Sequence, residues 1–120
     1  MHTKLGNLID LRFNLETWRR ELRFHYDEMD TFQEKLEETV TKEIGQDAQK
    51  AIENFQNRIL IEKDAISKLK HRIRSKMRDL TGENHLHNGQ GSLREDMRTY
   101  IKMHYDLKEE MMDFFSEYLK

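Results

Sequence analysis

Residues 48–80 read AQKAIENFQNRILIEKDAISKLKHRIRSKMRDL. Within this stretch Ala48, Ile52, Phe55, Ile59, Glu62, Ile66, Leu69, Ile73, Lys76 and Leu80 recur at strictly alternating steps of four and three. Such steps line side chains along one stripe of an α-helix, and their alternation is the heptad period of a coiled-coil seam. All but Glu62 and Lys76 are apolar, while the positions between them are mostly charged or polar. The stretch therefore predicts a long helix with one narrow face to bury.

The same period continues on both sides. Before it come Leu8, Leu11, Leu15, Trp18, Leu22, His25, Met29, Phe32, Leu36 and Thr39; after it come Leu93, Met97, Tyr100, His104, Leu107, Met111, Phe114 and Tyr118. Three helices follow, over about residues 8–40, 48–80 and 93–119, with a loop over 82–91. Asn7 is placed to cap the first. Gly45 offers a left-handed C′ residue, and Asp47 caps the second helix. Ser92 and Glu95 have capping-box spacing at the start of the third. The first two seams pair antiparallel in constant register, as Leu8 with Leu80, Leu15 with Ile73, Leu22 with Ile66, Met29 with Ile59 and Leu36 with Ile52. The third seam is expected to add Leu93, Tyr100, His104, Leu107, Met111, Phe114 and Tyr118 opposite Leu80, Ile73, Leu69, Ile66, Glu62, Ile59 and Phe55. The fold class is all-α: one domain, an antiparallel up-down-up three-helix coiled coil, roughly 50 Å long at 1.5 Å per residue.

That topology, with Trp18 in the first helix, resembles a spectrin-type repeat. The resemblance is one of topology only, and the third helix has no matching tryptophan.

Composition agrees. Of 120 residues, 37% are charged and 36% hydrophobic, which suits a rod with a thin core better than a compact globule. Proline and cysteine are absent. Nothing breaks the helices, and there is no disulfide, thiolate metal site or cysteine nucleophile. No apolar signal segment or membrane-spanning stretch is evident, so a reducing, cytoplasmic location is expected. No Ser/His/Asp constellation or Gly-rich phosphate loop marks a catalytic or cofactor site. A non-enzymatic interaction or scaffold module without a cofactor is therefore the first expectation.

Four features bear on function. His25, Glu62 and Met111 share a predicted layer, a buried polar pair that either fixes register or forms part of a metal site. In this register His104 lies two layers away, roughly 10 Å along the axis, beside Trp18 and Leu69. His85 and His87 in the loop form a weak zinc-ligand pair. Charge is polarised: residues 1–24 and 68–104 hold fourteen Lys/Arg and seven Asp/Glu, against seven and sixteen in the remainder. The basic face comprises Lys68, Lys70, Arg72, Arg74 and Arg78 with Arg19, Arg20 and Arg23, a candidate for nucleic acid or an anionic surface. Finally, the expected register leaves Leu36 and Ile52 without a third helix. Together with Val40, Ile44, Ile101, Tyr105, Met112, Phe115 and Leu119 they form an apolar interface for a homodimer.

Overall fold

The computed structural model describes residues 4–80 and 91–118. They form three helices, α1 Lys4–Val40, α2 Gln46–Asp79 and α3 Gly91–Tyr118, with no strand among the described residues. The bundle is elongated, at 61 × 23 × 18 Å. It exceeds the expected length because α1 begins at Lys4, ahead of the predicted Asn7 cap, and runs for 37 residues.

Contacts fix the topology. Trp18 meets Arg94, His25 meets His104 and Phe32 meets Phe115, so α1 and α3 ascend together. Arg72 pairs with Asp96, Glu62 with His104 and Arg58 with Glu110, so α2 runs against α3. The chain is an up-down-up three-helix bundle.

The α1–α2 turn departs in detail from expectation. Gly45 is the N-cap of α2 in extended conformation, with φ −72° and ψ 170°, and supplies no side-chain cap. It does not take the left-handed region, and Asp47 sits in the first turn of α2 instead of capping it. There its carboxylate still faces the positive end of the helix dipole. At the end of α1, the Thr39 hydroxyl donates to the Lys35 carbonyl at 2.8 Å. This i−4 back-bond satisfies the hydroxyl of a buried threonine, while the terminal carbonyls of Glu38 and Thr39 accept from the Thr41 and Lys42 amides. Ser92 lies one residue inside α3, which starts at Gly91. His85, His87 and Leu119 fall outside the described residues.

The seams of α1 and α2 are buried as their period predicts. From Leu15 to Thr39 every seam position except the half-buried Trp18 is buried, and so is every one from Ala48 to Ile73. The third seam buries the expected face in a different register. Met111 was expected opposite Glu62, but His104, one heptad earlier, occupies that place, with its Nδ1 2.7 Å from Glu62 Oε2. Helix α3 has slid by one repeat, roughly 10 Å, toward the α1–α2 turn.

Physics favours this slide. A one-heptad slip keeps every seam residue facing the core, so period alone cannot oppose it. What changes is which layers meet. In the observed register His25, Glu62 and His104 share a level, and Glu62 Oε2 meets His104 Nδ1. The slide also carries Phe114 and Phe115 over the turn end, where they pack into one cluster with Leu36, Ala48 and Ile52. Leu36 and Ile52 are then 0% and 1% exposed. The alternative would have left them wet and Glu62 facing a methionine, a costly arrangement for a buried carboxylate.

Candidate functional site

Two arrangements emerge, a buried polar cluster mid-bundle and a basic groove on one outer face. The cluster is built around His104, whose side chain is fully buried. Its Nδ1 donates to Glu62 Oε2 at 2.7 Å, and its Nε2 lies 3.2 Å from Glu28 Oε1. Both ring nitrogens of His104 thus face carboxylate oxygens, one from α2 and one from α1. Lys108 Nζ donates to Glu28 Oε2 at 2.5 Å and balances the second carboxylate. Burial opposes ionisation of Glu28, but Lys108 and His104 outweigh it and hold the carboxyl below its ordinary range.

His25 lies flat on His104, with centroids 3.7 Å apart and planes within 5°. Its Nδ1 is 2.8 Å from the Tyr100 hydroxyl. Burial, then the charge on His104, push His25 down from 6.5 to about 4, with Glu28 pulling the other way. The ring is thus neutral at pH 7, and Tyr100 donates its O–H to Nδ1. Burial, reinforced by Glu62 and Glu28, raises the pKa of that hydroxyl, so the proton stays on it. Tyr105 closes the cluster edge-on to both imidazoles. One atom is left over: Glu62 Oε1 is buried and has no hydrogen-bond partner among the described residues.

This corrects the expectation that His104 lies two layers from His25. The structure brings His25, Glu62 and His104 together and adds Glu28 and Tyr100, which the seam analysis passed over. Tyr100 was a seam residue without a polar role, and Glu28 lies beside the seam. The signal available was its spacing of three from His25, which puts the two on one side of a helix.

The groove lies between α1 and α2. Arg19, Arg20 and Arg23 from α1 and Lys70 and Arg74 from α2 line a cavity of about 460 Å³. His71 and Ser67 extend it along α2 with Lys70 and Arg74. None of the five cations forms an ion pair or hydrogen bond with another described residue. Some cations elsewhere are matched across helices, as in Arg58–Glu110, Lys63–Asp30 and Arg72–Asp96.

The predicted basic face of α2 therefore divides. Lys68 pairs with Asp64, and Arg72 turns to Asp96 on α3. Residues two apart on a helix point to nearly opposite sides, so Lys68 and Arg72 cannot share the face of Lys70 and Arg74. Arg78 hydrogen-bonds Ser75 near the end of α2.

The predicted apolar interface does not survive as a patch. Leu36, Ile52 and Phe115 are core, and Ile44 and Ile101 are half-buried against it. Val40, Tyr105 and Met112 remain exposed, on separate helices or turns. No helix among the described residues is long and apolar enough to cross a membrane.

No protein-family model, curated protein or solved structure matches this chain.

Proposed function

We propose that the protein is a non-enzymatic binding module that engages a polyanionic strand, single-stranded nucleic acid in the first instance, through the α1–α2 groove. The observation that carries this reading is the convergence of Arg19, Arg20, Arg23, Lys70 and Arg74 without counter-charges among the described residues. Five like charges held together cost repulsion in the free protein, and a phosphate backbone relieves it with release of counterions. The concave shape favours a strand over a flat membrane. Phe13 and Phe24 are exposed on α1. Phe13 is two turns before Arg20 and Phe24 one turn after it, so both share its outward strip and offer faces for base stacking. Homodimerisation, the other expected role, has lost the uncovered tip that argued for it.

Fluorescence anisotropy with a labelled mixed-sequence single-stranded oligonucleotide tests the reading. If all five cations reach phosphates, raising salt from about 50 to 200 mM should weaken binding about 100-fold. Arg20→Glu, Arg23→Glu and Arg74→Glu together should abolish it. No measurable binding at low salt, or binding indifferent to these changes, would refute the proposal. Binding to phosphatidylserine vesicles alone would move the partner from nucleic acid to membrane.

A further inference from the structure

Neither the basic groove nor the histidine cluster uses a second cavity, on the side of α1 that faces α3. We propose that this cavity, between Trp18 of α1 and Arg94 and Arg98 of α3, binds a nucleobase that carries a phosphate. The site goes beyond the polyanion reading and does not rest on it, because no residue of the α1–α2 groove takes part.

Asn14, Trp18, Arg94, Met97, Arg98 and Ile101 line a cavity of about 190 Å³. Two residue pairs build it. Asn14 and Trp18 are four apart on α1, and Arg94 and Arg98 are four apart on α3, so each pair stands one turn apart on one helix face. Helices α1 and α3 ascend together, and the two pairs meet across the groove between them. Met97, 1% exposed, and the half-buried Ile101 give it an apolar floor. Trp18 packs against the same core cluster yet is only half-buried, so the core holds the indole in place while part of it faces the cavity.

The charge around the cavity has one sign. Arg94 and Arg98 are exposed, and no carboxylate among the described residues lines the cavity. Neither arginine forms an ion pair or hydrogen bond with another described residue. Like charges one turn apart repel, and an anion between them relieves the repulsion. Arg94 lies over the Trp18 ring at 6.0 Å from its centroid. That is the outer limit of a cation–π contact, beyond the separation of about 3.5–4 Å at which planes stack. A short outward swing of this exposed side chain lets a flat ring enter between indole and guanidinium, both of which stack on bases.

The remaining groups fit the rest of such a ligand. The Asn14 amide offers a donor and an acceptor to the base edge, the combination that suits adenine N6 and N7. Arg98, one turn along α3 from Arg94, presents a fork that matches phosphate oxygens with two parallel N–H···O bonds. The volume, about 190 Å³, is below the roughly 300–1,000 Å³ of pockets that enclose a drug-sized molecule. One ring system fills it, and the phosphate stays at the rim with Arg98.

Trp18 is the one tryptophan in the chain, so its emission reports the cavity directly. The protein is titrated with AMP and with adenosine, with ribose 5-phosphate as a competitor, and fluorescence is corrected for nucleotide absorbance. Saturable quenching by AMP is expected. Adenosine and ribose 5-phosphate, each lacking half of the recognised chemistry, should bind at least about tenfold more weakly. Arg98→Gln should weaken AMP binding at least about tenfold, and Asn14→Ala should reduce the preference for AMP over UMP. Arg20→Glu, Arg23→Glu and Arg74→Glu together should leave a saturable AMP response, so this site and the groove fail separately. Quenching by the mixed-sequence oligonucleotide but not by AMP, lost in Arg98→Gln, would support the site and identify its ligand as a base of a bound strand. No saturable quenching by either, or quenching indifferent to Arg94→Gln and Arg98→Gln, would overturn it. Both arginines are exposed, so the decision does not depend on a core variant that fails to fold.

Discussion

The imidazole of His25 lies parallel to that of His104 at 3.7 Å, inside a bundle whose neighbouring layers are apolar. Two charged rings at that distance would repel strongly. The contact holds because the two differ: His104 is tied by both nitrogens to carboxylates, while His25 is neutral and receives a hydroxyl hydrogen. This asymmetry, the register that creates it and the basic groove together set how the protein should respond to mutation, acid and salt.

Removing one member of the layer should be far worse than removing a pair. His104→Leu leaves Glu62 buried without its partner and should cost about 3–5 kcal/mol, as broken buried pairs do. Glu62→Leu combined with His104→Leu should recover most of that in urea titrations. The double variant should also populate the neighbouring heptad register, because the Glu62–His104 contact that distinguishes the two registers is then gone. Spin labels on α2 and α3 would report a second distance distribution. A single distribution would show that aromatic packing at the turn end suffices to set the register.

Core truncations locate the register independently. Ile59→Ala and Ile66→Ala, at fully buried sites, should cost about 2–5 kcal/mol. Leu36→Ala should fall in the same range, since Phe114 and Phe115 cover that layer. A cost below about 1 kcal/mol at Leu36 would mean the turn end is open.

Acid should destabilise the protein in a defined window. His25 titrates at 6.5 unfolded and about 4 folded. Between those values the unfolded chain binds more protons, so stability falls as pH drops from 6.5 toward 4. The groups facing His25 are Glu28 on its own helix, Glu62 on α2, and Tyr100, His104, Tyr105 and Lys108 on α3. Glu28, whose carboxyl is held low, adds a further loss of the same sign below the ordinary carboxylate range. Urea midpoints should decline steadily from neutral pH to about pH 4. A flat profile above pH 5 would contradict a buried neutral His25.

The groove should behave as a functional surface with no stabilising role. Arg23→Ala and Arg74→Ala remove like charges that lack counter-ions, so thermal stability should stay within about 0.5 kcal/mol of the parent or rise. The same pair should reduce the salt slope of polyanion binding by roughly one for each phosphate no longer neutralised. A clear drop in stability would assign these arginines to the fold.

Much of this was legible in the chain because helices report their buried faces directly. The seams of α1 and α2 and the buried face of α3 came from spacing alone, and Met29, Leu36, Ile52 and Ile59 lie in one buried cluster. Glu28 and the split of the basic face were less visible. Neither lies on the apolar stripe, and the α2 cations look continuous only until their angular positions are considered.

By itself the sequence determined three helices, the face each one buries and the order of the first hairpin. The five residues between α1 and α2, 41–45, are too short to let that pair slip. The place of α3 was decided in the tertiary structure. Residues 80–90 separate α2 from α3, enough chain to accommodate a shift of one repeat, and a heptad seam shifted by seven residues still looks like itself. The choice fell to chemistry that period does not encode: Glu62 needs a donor, and Leu36 and Ile52 need a cover. His104 and the Phe114–Phe115 pair meet both needs in a single register, and that register also assembles the histidine–carboxylate cluster.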